Sequence, residues 1–387
     1  MAPATPATKS PKAPRVLIAS GGSGGHLFPA LAIAEKLRDM GFVVSFIGYG
    51  GAFTNLVTER GFEFMLIPAA KWNVKNPIRK AWALITLGRA LLIAMRLVYR
   101  TQPAVVLGTG GYATVAAVAA AKISGVPTVV QEQNVLPGRA NRFLFKYVDK
   151  VLLAFEETRS LVSIPSDKTV VAGNPVRKEV VAAKKLPRDD DGKFHILITG
   201  GSQASRILSE VVPAALAMLS ESHRKRLSVV HQARVEDAPE VTNAYQAAGI
   251  TAEVKSFFTD LPARLRWCHV YIGRAGCSSV IEAGMLERAS IFIPGEFADR
   301  HQVYNARVLA DKDAAVMIEE PKLTPSLLAG EVQKLMDTPE WLEAMQKRAA
   351  AAIPDVDSAQ IAADVVAHMA KTDIFQMLDH EPPADLK

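Results

Sequence analysis

The sequence predicts an α/β protein built as two similar halves, each a parallel sheet with helices on both faces. Three observations carry this reading. The run RVLIAS (Arg15–Ser20) enters a glycine turn, Gly21-Gly22-Ser23-Gly24-Gly25, and then an apolar helical pattern from Leu27 to Met40. The plan returns about 180 positions later, where HILIT (His195–Thr199) enters Gly200-Gly201-Ser202-Gln203 and a helical pattern reaching Leu219. Short β-rich runs alternate with helical patterns along the rest of the chain, as strand–helix–strand units of parallel sheets require. At roughly 150 residues per domain, 387 residues suit two domains, each able to bury its own core.

The remaining elements follow in order. Val105–Leu107 leads into Gly108-Thr109-Gly110-Gly111-Tyr112, Val126–Val130 precedes Gln131-Glu132-Gln133-Asn134, and Thr169–Ala172 precedes Gly173-Asn174-Pro175-Val176-Arg177. In the second half Val270–Ile272 precedes Gly273-Arg274-Ala275-Gly276, and Ile291–Ile293 precedes Pro294-Gly295. Ligands of such sheets collect beyond the carboxyl ends of the strands, so these loops are the candidate site. The halves divide near Gly173–Arg177, giving residues 15–176 and 177–355. A break at Ile353-Pro354-Asp355 then precedes a last helix within 356–371. Residues 1–14 lack an apolar segment and read as a flexible arm and not as a signal peptide, so export is not expected. Residues 372–387 read as a loose tail.

Composition narrows the function. Two cysteines, Cys268 and Cys277, stand in no metal-ligand spacing, which excludes a disulfide scaffold and suits a reducing compartment. No run of about 18 uncharged apolar residues is present, so no transmembrane helix is expected. The dinucleotide fingerprint G-x-G-x-x-G fails at Leu27, and no acid ends the second strand at Gly48-Tyr49-Gly50; no G-x-x-x-x-G-K-[ST] occurs. NAD and P-loop chemistry are therefore disfavoured. Asp189-Asp190-Asp191 precedes a strand instead of ending one and reads as a solvated linker, so neither a metal nor a cofactor is implied.

What remains favours a phosphate-bearing ligand. Glycines at a strand–helix turn let backbone approach an anion, and the helix N-terminus adds donors and positive potential. One such loop is as readily a plain tight turn; two in equivalent places favour a nucleotide site. Arg177, at the junction of the halves, is a further phosphate candidate, against the usual fate of a lone surface Arg. Glu282, on the helix after Cys277-Ser278-Ser279, suits a ribose diol or simply complements the helix dipole. His26, on the opening turn of its helix, is expected neutral, as a general base requires, or serves as a cap. Asp299–Asn305 (DRHQVYN) is unusually polar for a connector.

The net charge of +6 is unevenly spread: residues 1–170 hold 20 basic and 9 acidic side chains, and the rest 25 and 30. Residues 71–100 hold seven basic residues and no acid. Asn76-Pro77 starts a helix there. At 100° per residue Arg89, Arg96 and Arg100 form a stripe bordered by Trp82 and Ile93 on one side and by Ile85 and Leu92 on the other. Leu84, Leu87, Leu91 and Met95 form a separate face suited to the core. A basic stripe edged by Trp and aliphatics fits an anionic membrane surface better than nucleic acid, with packing on a neighbouring domain as the competitor.

Taken in order, these motifs resemble the MurG-type glycosyltransferases of peptidoglycan synthesis. The matching pieces are Gly21–Ala34, VVLGTGGY (Val105–Tyr112), EQN (Glu132–Asn134), GNPVR (Gly173–Arg177), GGSQASR (Gly200–Arg206), Ala275–Glu282 and DRHQVYNA (Asp299–Ala306). The resemblance spans roughly Arg15 to Lys371. It implies the GT-B arrangement, two Rossmann-like domains facing each other across a cleft, with the last helix packed back on the first domain. It implies inverting transfer of N-acetylglucosamine from UDP-GlcNAc to the C4 hydroxyl of the MurNAc unit of lipid I, giving lipid II at the cytoplasmic face of the membrane. Arg177 and Ser202 would meet the diphosphate, Phe258 the uracil, and Glu282 the ribose, beside Cys277, Ser278, Ser279, Val280 and Ile281. Gln302 and Asn134 would address the sugar, with Ser23, Gly24 and Gly25 closing from the other domain. Tyr112 would face the acceptor, and His26 is the expected base with Glu132 as competitor. Cell-wall synthesis proteins are implied as further partners, and nucleic acid is not. The chain departs from the family pattern at Ser23 (usually Thr), Ala204 (usually Gly), Cys277 (commonly Ala) and His301 (frequently Gln). A UDP-GlcNAc 2-epimerase, a diacylglycerol-dependent glycolipid synthase and a non-catalytic membrane scaffold stay open as alternatives.

Overall fold

The computed structural model describes residues 13–50, 54–68, 77–187, 191–201, 204–297 and 299–370, with the backbone alone over 77–80. The arm, the tail, Ser202 and most of the Asp189–Asp191 run lie outside the described residues.

Seven strands form the first sheet: β1 (Arg15–Ser20), β2 (Val43–Gly48), β3 (Glu63–Leu66), β4 (Val105–Gly108), β5 (Thr128–Glu132), β6 (Lys150–Leu153) and β7 (Thr169–Val171). Six form the second: β8 (Phe194–Thr199), β9 (Leu227–Gln232), β10 (Thr251–Lys255), β11 (Val270–Gly273), β12 (Ala289–Phe292) and β13 (Val316–Met317). Every pairing is parallel, in the orders β3-β2-β1-β4-β5-β6-β7 and β10-β9-β8-β11-β12-β13. The central strands are continuous Val/Ile/Leu runs because helices cover both faces. Chain order reverses between β1 and β4 in one sheet and between β8 and β11 in the other. Both glycine turns open at these switch points, where a crevice forms.

One face of the first sheet packs Val16, Ile18 and Leu107 on the helix Gly24–Asp39 and the last helix Ser358–Met369. The last helix thus belongs to the core of the first domain, through Ala362, Ala363 and Val366. An ion pair of 2.7 Å between Lys36 and Asp357 fastens its start. Gly173, at the junction of the domains, has φ +77° and lies so close to Ser358 that a Cβ there would strike its hydroxyl. Only glycine lets the two segments cross at that point.

The other face packs Leu17, Ala19 and Val106 on the helices Pro77–Thr101 and Tyr112–Ile123. Here the sequence reading needs correcting. Among the described residues the fully buried positions of the long helix are Ala83, Ala90, Ala94 and Val98; of the expected leucine face Leu91 and Met95 pack half-buried on the core, whereas Leu84 is exposed. Its neighbour presents Ala113, Ala116, Ala117 and Ala120, and small residues on both helices permit the close approach. Ile93 packs half-buried on the same cluster and leaves the proposed lipid-facing set. Ala81–Thr101 is also long and apolar enough to span a membrane, because its Leu, Ile, Val and Met residues outweigh its few charges. It nevertheless joins β3 to β4 of a single sheet and buries one side in that domain's core, so it is a layer of the fold.

Candidate active site

His26 occupies the first turn of the helix Gly24–Asp39, its amide bonded to the Ser23 carbonyl at 3.1 Å. Ser23 makes no side-chain cap, so its exposed hydroxyl, with the neighbouring exposed Gly25, is free for a ligand; Gly24 is buried. The His26 ring lies against the backbone of the Gly108–Tyr112 loop. Gly110 has φ +112°, and a Cβ there would fall 2.6 Å from His26 Nδ1. His26 Nδ1 sits 3.2 Å from Gln133 Oε1, and Gln133 Nε2 donates to the Thr109 carbonyl at 2.8 Å. Tyr112 starts the helix Tyr112–Ile123, half-buried beside this group.

Glu132 ends β5, a strand that runs two residues further than its apolar pattern suggested. Its carboxylate is enclosed. Oε1 accepts from Asn134 N at 2.8 Å and Asn134 Nδ2 at 3.2 Å, and Oε2 from Gly138 N at 3.1 Å and Asn141 Nδ2 at 2.9 Å. Burial pushes its pKa above the ordinary carboxylate value, against the pull of these donors and of His26. With four donors on two oxygens, Glu132 shapes the 132–141 loop and has no lone pair well placed for a substrate proton. His26 differs in that its Nε2 has no partner among the described residues.

The loop meets the second domain through Asn305, a fully buried residue of the helix His301–Ala310. Its Oδ1 accepts from Val135 N at 3.0 Å, and its Nδ2 donates to Asn134 Oδ1 at 3.0 Å and to the Ala275 carbonyl at 3.2 Å. Asn134 is thus held from both domains. On the same helix Gln302 Oε1 accepts from Gly295 N at 2.9 Å.

At the junction, Arg177 Nη2 lies 3.3 and 3.4 Å from the two oxygens of Glu282, and Phe28 of the His26 helix stacks on the guanidinium at 4.7 Å. Two groups expected to hold different parts of a nucleotide thus hold each other. Burial raises the Glu282 pKa, and Arg177 alone opposes the rise appreciably. Ser278 and Ser279 are partly exposed on the first turn of the helix Cys277–Met285, whereas the side chains of Cys277, Val280 and Ile281 are buried in the core behind it. Phe258 sits apart, beyond the edge strand β10, buried under the Arg264 guanidinium at 4.5 Å. Arg264 is itself held by Glu253 and Asp260.

The fold thus gathers His26, Glu132, Asn134 and Gln302 with Arg177 and Glu282 around the facing switch points. Sequence reasoning gave no role to Gln133, Asn305 or Phe28. All three stood inside quoted motifs, and Phe28 was in addition absorbed into an apolar helical pattern.

Two parallel-sheet domains, each with a glycine loop at its switch point, define the GT-B fold class. Residues 16–153 match the Glycosyltransferase family 28 N-terminal domain and residues 195–361 the Glycosyltransferase family 28 C-terminal domain. A Methylobacterium sp. (strain 4-46) protein called UDP-N-acetylglucosamine--N-acetylmuramyl-(pentapeptide) pyrophosphoryl-undecaprenol N-acetylglucosamine transferase is 40% identical over 337 residues, 86% of this chain and 90% of that one. A Rhodopseudomonas palustris (strain BisA53) protein of the same name is 36% identical over 378 residues, 94% and 99% of the two chains. The crystal structure of Acinetobacter baumannii MurG superposes with a TM-score of 0.74 at 29% identity, covering 92% of this chain and 99% of that one. The chain belongs to this MurG family of N-acetylglucosamine transferases. A Listeria monocytogenes structure described as a UDP-N-acetylglucosamine 2-epimerase shares the fold at TM-score 0.68 and 14% identity, covering 94% and 98% of the chains.

Proposed function

We propose that this chain transfers N-acetylglucosamine from UDP-GlcNAc to lipid I, forming lipid II. Relatives named for that transfer match both domains, and the observation that carries the reading to residues is the Arg177–Glu282 pair at the junction, with Arg177 stacked on Phe28 of the helix that also bears His26. The C4 oxygen of the MurNAc unit attacks C1 of the donor sugar, the bond to UDP breaks with its electron pair, and the configuration inverts. The hydroxyl proton goes to His26 Nε2. Arg177, released from Glu282, stabilises the departing diphosphate, and Glu282 accepts from the ribose hydroxyls. The other donor contacts are those named from the sequence, among them Ser202, Phe258 and Gln302. The test is UDP release with a lipid I analogue present and absent. Release only with acceptor supports the transfer; acceptor-independent isomerisation of UDP-GlcNAc marks an epimerase and overturns it.

We further propose that the first domain, residues 15–176, docks on the cytoplasmic face of the membrane through the outer face of the helix Pro77–Thr101. Trp82 is 64% exposed, Ile85 56% and Leu92 61%, beside exposed Arg89, Arg96 and Arg100, and Tyr99 joins them at 81%. Apolar anchors ringed by cations suit anionic lipid. Flotation with anionic vesicles should fail when the three arginines are reversed; equal flotation of variant and wild type contradicts the surface.

A further inference from the structure

We propose that Gln133 is a positioning residue that fixes the tautomer of His26, leaving Nε2 bare to accept the acceptor's proton. The inference rests on the reading of His26 as base.

The argument starts from the Gln133 amide, which is 2% exposed. Its nitrogen donates to the Thr109 carbonyl at 2.8 Å. Turning the amide over would set its oxygen against that carbonyl oxygen, so the orientation is fixed by charge. The amide oxygen must then face His26, 3.2 Å from Nδ1. An oxygen at that place accepts a proton and repels a lone pair, so Nδ1 carries the hydrogen. In a neutral imidazole one nitrogen donates and the other accepts, which makes Nε2 the acceptor. Among the described residues nothing is bonded to Nε2.

Backbone holds the ring in this pose. A Cβ on Gly110 would fall 2.6 Å from Cε1 and Nδ1, and one on Gly21 would lie 3.1 Å from Cδ2. The ring thus lies close against the backbone of two glycines, where any side chain would collide with it. The choice of an amide matters chemically. A carboxylate in the same place would orient the ring equally well but would stabilise imidazolium, which cannot accept a proton. Among the described residues the charged or titratable groups near the ring are Glu132, whose buried charge interacts with His26, and the Tyr49 hydroxyl, which approaches the same side of Gly21 as the ring. Gln133 thus orients the base without adding a charge to it.

The tautomer is readable without mutation from long-range ¹H–¹⁵N spectra of the imidazoles in the full chain, with His26 assigned by its loss in His26→Gln. The expected result is a neutral ring with its proton on Nδ1; a proton on Nε2 overturns the proposal. Gln133→Leu should shift the ring towards the opposite tautomer and lower kcat about 10- to 100-fold, with KM for UDP-GlcNAc unchanged. Gln133→Glu should keep the Nδ1 proton but move the acid limb of the kcat/KM profile to higher pH. An unmoved tautomer in Gln133→Leu or an unmoved profile in Gln133→Glu overturns the proposal even if the variants lose activity. His26→Ala tests the underlying reading separately: wild-type turnover there removes His26 from the reaction, whatever the spectra show for Gln133.

Discussion

The site holds two buried glutamates, one from each domain, and they are buried for opposite ends. Glu132 has four neutral donors, all from its own loop between Asn134 and Asn141. Among the described residues Glu282 has one side-chain partner, Arg177, reaching from a different segment. Burial raises both pKa values, but Glu132 is compensated locally and permanently, while the compensation of Glu282 is a cation that the diphosphate would claim. A carboxylate satisfied by its own loop is architecture. A carboxylate satisfied by a cation from another segment is the arrangement the proposed ligand would open.

The comparison breaks most easily at Glu132. Glu132→Ala strips the acceptor from four donors in a buried loop and should lower stability by on the order of 4 kcal/mol in urea denaturation. A loss below about 1 kcal/mol would show that water replaces the carboxylate, and the architectural role would fall. Next in size is the bridge between the regions. Asn305→Ala leaves Val135 N–H unpaired and Asn134 loose, and should lower kcat about 10-fold in steady-state transfer assays, since a contact of this kind contributes about 1.4 kcal/mol. Unchanged kcat would mean that the two regions act independently.

The pH dependence sharpens the contrast from the side of Glu282. Its pKa lies above the ordinary value in the folded chain, so folding favours its protonated form. Its contribution to stability is therefore largest below the ordinary carboxylate pKa and is lost as pH rises through the raised one. In the proposed function the dependence runs the other way: ionised Glu282 would accept from the ribose, so KM for UDP-GlcNAc should climb as pH falls through that raised value. A KM flat down to the ordinary carboxylate range would contradict the assignment. The smallest effect concerns the second glycine turn. Ala204 sits at φ +55°, a left-handed conformation costly to a residue with a Cβ. Ala204→Gly should therefore raise stability by about 1 kcal/mol, seen as a higher midpoint in urea.

Much of the architecture was legible because its signals are local. A β-rich run, a glycine turn and an apolar helix announce each unit, and alternation announces parallel sheets. The errors arise where a partner helix decides the outcome. The sequence of Pro77–Thr101 offers both a leucine face and an alanine face, and only packing against the alanine-rich neighbour buries the second fully and the first in part. The site was legible as motifs but not as contacts. Glu132, Arg177 and Glu282 stand out as charges near glycine loops. That Arg177 closes on Glu282, that Asn305 clasps Asn134, and that Gln133 faces His26 depend on segments more than 100 residues apart meeting at the switch points.

The most direct test sets Glu132→Gln beside Glu282→Gln and measures thermal midpoint, kcat and KM for UDP-GlcNAc in both. The expected result is a division. Glu132→Gln loses stability yet keeps KM and most of kcat, whereas Glu282→Gln keeps or gains stability and raises KM. A Glu132→Gln enzyme that folds normally with kcat down by 100-fold or more, or a Glu282→Gln enzyme with unchanged KM, would contradict the account.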